Sequence, residues 1–131
     1  MARWRYLTSV ELIHLAKPHG VGSVMKPAGL ESAMLAPAAS FGGVELHRDM
    51  AAKAAALAFA VAKIHHPFVD GNKRAAAIGL LATCWLNGYR PMLTQAELVA
   101  LILVIVEPNT GDIDDDDARE QIADFIRGRL A

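Results

Sequence analysis

The chain has 131 residues, 53% of them hydrophobic and 21% charged, with 13 Lys and Arg against 14 Asp and Glu. That length suits one domain, that apolar content excludes a mainly disordered chain, and the net charge of −1 lacks the basic excess of a nucleic-acid-binding surface. The single cysteine, Cys84, cannot form an internal disulfide, and the longest apolar runs, 54–62 and 98–106, fall short of the roughly 20 residues that cross a bilayer. The opening residues hold no hydrophobic stretch of secretory type, so a soluble cytoplasmic protein is expected, with no membrane partner.

In chain order, Thr8-Ser9-Val10-Glu11 reads as a capping box opening a helix that runs to about Lys17, where Pro18 and Gly20 stop it. Residues 18–28, with Pro18, Gly20, Gly22 and Pro27, read as a loop, and a short helix follows over 30–36, ended by Pro37. Phe41-Gly42-Gly43 is irregular, too short and Gly-rich to read as a strand. Residues 49–65 place Met50, Ala51, Ala54, Leu57, Ala58, Val61 and Ile64 at helical spacing, and only Lys53 and Lys63 interrupt them. His66 precedes Pro67, which marks the end of that helix.

A short connection, 66–71, leads into a predicted helix over 72–87. It is apolar nearly all round through Ala75, Ala76, Ile78, Leu80, Leu81, Cys84, Trp85 and Leu86. Gly88 is placed to terminate it, and both Cys84 and Trp85 are expected inside. Thr94-Gln95-Ala96-Glu97 is a second capping box; residues 98–106 fit a buried strand equally well by periodicity, and the cap decides for helix. Residues 108–112 read as a turn, and 114–117 cap a last helix carrying Ile122, Phe125, Ile126 and Leu130 on one face. The expectation is an all-α, compact, single-domain bundle spanning 1–131, of about six helices around a central buried helix at 72–87.

The chemistry concentrates in His65-His66-Pro67-Phe68-Val69-Asp70-Gly71-Asn72-Lys73-Arg74. Singly, these residues have ordinary structural uses, as turn, cap or loop histidine. Together they break a local rule, because Lys73 and Arg74 occupy the first turn of a helix, where the dipole and the free amides repel cations. Each such cation costs on the order of 0.3–1 kcal/mol. The compensating partner is an anion, and two cations with free amides suit more than one phosphate group. Asp70 is then a hard oxygen ligand placed for Mg²⁺, and His66 a base able to take a hydroxyl proton near neutral pH. Phe68 is expected to point into the core and pin the loop. A metal-hydrolase reading from His65, His66 and Asp70 is weak, since adjacent histidines do not converge on one ion.

The segment HPFVDGNKR resembles the signature HPFx[DE]GNxR of the Fic/Doc (Fido) superfamily, and Lys73 in the variable place makes it similar to the Doc, or death-on-curing, branch. Residues 7–15, 29–32, 41–43 and 87–89 resemble the family as well, so the likeness spans essentially the whole chain. The resemblance implies His66 as catalytic base and Asp70 as Mg²⁺ ligand. It also implies an ATP-phosphate clamp formed by Gly71, Asn72, Lys73 and Arg74, with Pro67 and Phe68 supporting the motif. Phe41, Gly42 and Gly43 fall near a flap that aligns the target segment.

Two departures qualify the likeness. AMP-transferring members carry GNGRxxR, whereas this chain has Lys73 and Ala77 at the two diverging places, and Ala75 stands where many Doc-type members have Thr. By resemblance the chain is a toxin of a type II toxin–antitoxin pair, a kinase that phosphorylates a threonine of elongation factor Tu and arrests translation. A cognate antitoxin, whose tail folds on binding, would neutralise it and carry any DNA contact. The alternatives are AMP transfer to a protein hydroxyl and a catalytically lapsed binding module.

Overall fold

A computed structural model describes residues 3–107 and 114–131. In chain order these form α1 (Ser9–Ala16), α2 (Pro27–Leu35), a hairpin of β1 (Ser40–Phe41) and β2 (Val44–Glu45), α3 (Met50–Phe59), a π-helical turn (Ala60–His65), α4 (Asn72–Leu86), α5 (Gln95–Val106) and α6 (Asp115–Arg127). The all-α expectation holds, and the two-residue strands of the hairpin are the only sheet among the described residues. The turn expected at 108–112 lies outside the described residues.

Local chemistry explains most helix starts. The Thr8 hydroxyl accepts from the Glu11 amide at 3.2 Å while the Glu11 carboxylate accepts from the Thr8 amide at 3.0 Å. Thr94 and Glu97 repeat this box at 3.0 and 2.9 Å, and α5 is helical, as its cap indicated. Asp49 caps α3 through the Ala52 amide (2.9 Å) and Asp114 caps α6 through the Asp117 amide (2.8 Å). Each such cap is worth about 1 kcal/mol. Helix α2 begins three residues before the expected 30–36 because Pro27 is not a breaker there. It occupies the first turn, where a missing N–H costs nothing.

The central position belongs to α3, not to 72–87. All ten residues of α3 are buried, packed chiefly against α4 and α6. Its six alanines are small enough for neighbours to close in from every side. Helix α4 buries Ala75, Ala76, Gly79, Leu80, Ala82, Thr83 and Cys84 but leaves Lys73, Arg74 and Trp85 exposed. Trp85, expected inside, is 59% exposed and lines an open groove with Val10, His14 and Leu15 of α1. The apolar stripe of α4 is wider than the surface its neighbours cover. Cys84 is buried as expected, and burial pushes its thiol up to about 12.

Lys53 does not interrupt the buried face of α3 so much as complete it. Its ammonium is buried and donates to Tyr6 Oη, the Pro37 carbonyl and Glu45 Oε1, each at 3.0 Å, between the rings of Trp4 and Tyr6. All three N–H groups are satisfied, the condition under which a buried cation is tolerated. Through Glu45 it fastens the hairpin to the core. Lys63 meets Asp115 at 2.6 Å, joining the π-helical turn to α6.

Candidate active site

The site begins where the helix continuing from α3 changes register. The turn Ala60–His65 is π-helical, a form that concentrates at functional sites, and it ends on His66 in the left-handed region at φ 44°, ψ 58°. A non-glycine residue held there costs on the order of 1–3 kcal/mol and persists only where its surroundings fix it. Here the loop 66–71 is paired to an incoming strand-like segment. The amides of Met25 and Lys26 donate to the Pro67 carbonyl (2.8 and 3.0 Å), Val69 donates to Ser23 (2.9 Å) and Gly22 donates to Asp70 (3.1 Å). Beneath the loop Pro67 and Phe68 are buried, Phe68 to 2% exposure, so Phe68 lies in the core as expected.

Asn72 closes the loop from the other side. Its Oδ1 accepts from the Phe68 amide at 2.9 Å and its Nδ2 donates to the Phe68 carbonyl at 3.0 Å. This refines its expected place in the clamp: the side-chain amide is engaged by the loop, and the backbone amide is open for an anion.

Helix α4 then starts without the devices used elsewhere. Its N-cap is Gly71, at φ 80°, with no side-chain cap and no acid in the first turn. An added Cβ at Gly71 would also stand 3.0 Å from the Val21 Cα, so glycine is required there twice over. The amides of Asn72, Lys73 and Arg74 are left for solvent or a ligand. The Arg74 Nη1 donates to the His19 carbonyl at 2.7 Å, which fixes the guanidinium. Lys73, Asp70 and the His66 imidazole are exposed and form no ion pair with the described residues.

These residues surround one cavity of about 510 Å³, lined by His66, Asp70, Gly71, Asn72, Lys73 and Arg74 together with Gly20, Ala62 and Val106. The sequence-predicted loop and helix-start residues are thus brought together. The 41–43 segment is not: Phe41 ends β1 and is 82% exposed, Gly42 and Gly43 form the hairpin turn, and none of the three lines the cavity. Gly20, Ala62 and Val106 were not read as site residues. Gly20 stood among the breakers of 18–28 and Ala62 one turn before His66, whereas nothing local singles out Val106. Lys73 and Arg74 also edge a second, apolar groove of about 530 Å³ between α4 and α5, walled by Ala77, Ile78, Leu81, Leu98, Val99 and Ile102 among others.

Among the described residues, Asp70 is the one carboxylate on the first cavity, and no cluster of three His, Cys, Asp or Glu stands together. That donor set fits Mg²⁺ arriving with a polyphosphate, since this ion is commonly held by one or two carboxylates plus phosphate oxygens. An uncapped, doubly cationic helix start facing a loop histidine and a carboxylate has the chemistry to hold a phosphorylated donor and to assist group transfer. The model of the Fic/DOC family matches residues 6–84, more than half of the chain, and includes α1 to α3, all but the last two residues of α4, and the whole 66–74 segment. The chain belongs to the Fic/DOC family, whose members are transferases that use ATP, typically with Mg²⁺. No curated protein matched the chain. Helix α5, which supplies Val106 and one wall of the second groove, lies outside the matched region.

Proposed function

We propose that this chain is a Doc-type toxin that transfers the γ-phosphoryl group of ATP to a hydroxyl side chain of a translation factor, elongation factor Tu by family likeness. The observation that carries the reading is the single cavity in which His66 and Asp70 face the open amides and cations of α4. The phosphate chain binds to the amides of Asn72, Lys73 and Arg74 and to the two cations, so the helix start that is unfavourable alone becomes favourable when occupied. His66 takes the proton of the attacking hydroxyl as its oxygen bonds to the γ-phosphorus, and the bond to the β-phosphate oxygen breaks to release ADP. Asp70, with phosphate oxygens, would hold Mg²⁺, which supplies neutralisation of the developing phosphate charge. The work of the protein is positioning and charge compensation, the usual division in phosphoryl transfer.

On this reading the nucleoside lies in the second groove, where Ala77 contributes only a methyl to the wall, and the phosphates run past Lys73 and Arg74, which edge both cavities, toward His66. The toxin role implies a bacterial cytoplasmic setting and a cognate antitoxin; no helix among the described residues is long and apolar enough to cross a membrane. Incubation of the purified chain with elongation factor Tu and ATP labelled at the α or the γ position tests the reading. Label is expected from γ alone. Incorporation from α would replace it with AMP transfer, and no incorporation with intact growth arrest by His66→Ala would favour a binding module.

A further inference from the structure

We propose that residues 20–22, outside the 66–74 segment, are the positioning template of the site: Gly22 sets the Asp70 carboxylate and Gly20 sets the Arg74 guanidinium. This rests on the phosphate-site reading for its purpose but not for its geometry. The three residues run past the site in register. A Cβ placed on Gly22 would stand 2.5 Å from Asp70 Oδ1 and 3.1 Å from the Asp70 amide nitrogen, and the Gly22 amide itself donates to the Asp70 carbonyl at 3.1 Å. One residue earlier, Val21 packs against Gly71, whose missing side chain admits it. One residue earlier again, a Cβ on Gly20 would stand 2.9 Å from Arg74 Nη1, the atom that donates to the neighbouring His19 carbonyl at 2.7 Å.

The two glycines differ in what a methyl group would do. Gly22 has an ordinary φ, so Gly22→Ala introduces no backbone strain of the left-handed kind. Its clash is with a carboxylate oxygen and a backbone nitrogen. The backbone is pinned by the paired segment, so the carboxylate is the group that must turn away. Gly20 sits at φ 78°, and the atom in the way is the far end of a long side chain. Gly20→Ala therefore combines strain with loss of the His19 anchor. Gly22 is a positioning residue for a metal-binding carboxylate, and Gly20 for a phosphate-binding cation. Neither touches the ligand through a side chain of its own.

The test uses the full chain in four forms: wild type, Gly22→Ala, Asp70→Ala and the double variant. Crystal structures without ligand give the first readout, and the Asp70 carboxylate is expected to leave the cavity in Gly22→Ala. Binding of Mn²⁺ in the presence of ADP, followed by electron paramagnetic resonance, gives the second. Loss of an outer-shell support weakens metal binding on the order of tenfold or more. Gly22→Ala is expected to show that weakening while leaving ADP binding in EDTA unchanged. In the Asp70→Ala background the same substitution is expected to change nothing further, because the group it displaces is gone. An Asp70 carboxylate unmoved in the Gly22→Ala crystal, or an equal loss of ADP binding in EDTA, overturns the proposal. If the carboxylate moves but the wild type binds no nucleotide, the positioning stands and the phosphate-site reading falls. Should Gly22→Ala not fold, Gly20→Ala carries the same test through Arg74: the guanidinium is expected to leave the His19 carbonyl, and a retained contact contradicts the template.

Discussion

Two kinds of helix start coexist in this molecule. At α1, α3, α5 and α6 a Thr or Asp side chain accepts from a first-turn amide, and α1, α5 and α6 add acidic residues where the dipole favours them. At α4 there is no side-chain cap and no acid, and two cations stand in the first turn. Four starts minimise the energy of the folded chain; α2, also without a side-chain cap, opens on Pro27, and of the six helices among the described residues α4 alone pairs an uncapped start with two first-turn cations. The difference teaches where an anion belongs: a backbone site left open, with side chains of matching sign, is stabilised only by what binds it. The contrast extends to the chain leading in. Residues 50–62 are continuously buried, whereas His66 is exposed and held in a left-handed conformation.

The comparison can be broken at several points. The largest effect is expected for His66→Ala, which should lower phosphoryl transfer on the order of 10²–10⁴-fold while the fold, followed by circular dichroism, persists. A transfer rate within a fewfold of wild type would remove His66 from the mechanism. Next, Thr94→Ala should cost about 1 kcal/mol of unfolding free energy in urea, with transfer unchanged, because its cap serves folding only. Lys73→Glu should act in the opposite sense: a first-turn acid replaces a cation, so the ligand-free chain gains roughly 0.3–1 kcal/mol while nucleotide binding weakens.

A smaller effect is expected at Asp49, where the Arg127 guanidinium, hydrogen-bonded at 2.6 and 3.2 Å, holds the carboxyl below its ordinary range. The folded state therefore releases this proton more readily than the unfolded state. The stabilisation is complete above the ordinary carboxylate range and is lost as pH falls through the folded value. Asp49→Asn keeps a capping side chain but should flatten this part of the acid limb of a stability–pH curve. Because the pair is half exposed, the change should be small and should shrink in high salt. An acid limb of unchanged slope would mean that the Arg127 contact carries no net stability.

The capped starts were the most legible part of the sequence, because a cap is a local pattern of a few residues. The helix at α5 shows the strength of that signal, since Thr94 and Glu97 settled what the apolar run 98–106 left ambiguous. The uncapped start was legible for the converse reason, as two cations in the wrong place. Features that depend on packing between distant segments were not legible. The apolar residues around 72–87 pointed to a central helix, but which helix lies in the middle depends on who packs on whom, and α3 with its alanines holds that place. Trp85 looked like a core residue because hydrophobicity carries no information about whether a neighbour arrives to cover it. The π-helical turn leaves the apolar pattern unbroken, so periodicity could not reveal it. The glycines at 20 and 22 were visible as breakers, but their fit to Arg74 and Asp70 appears only when the two segments lie side by side.

The most direct test is the unfolding free energy of the wild type and of Lys73→Glu, each measured with and without saturating Mg²⁺ and ATP. A ligand at a hundredfold its dissociation constant stabilises a protein by about 2.7 kcal/mol. The wild type should be the less stable of the two when ligand-free and the more stable when ATP is present, so that their order reverses. If ATP stabilises both proteins equally, or neither, the open start of α4 is not a phosphate site.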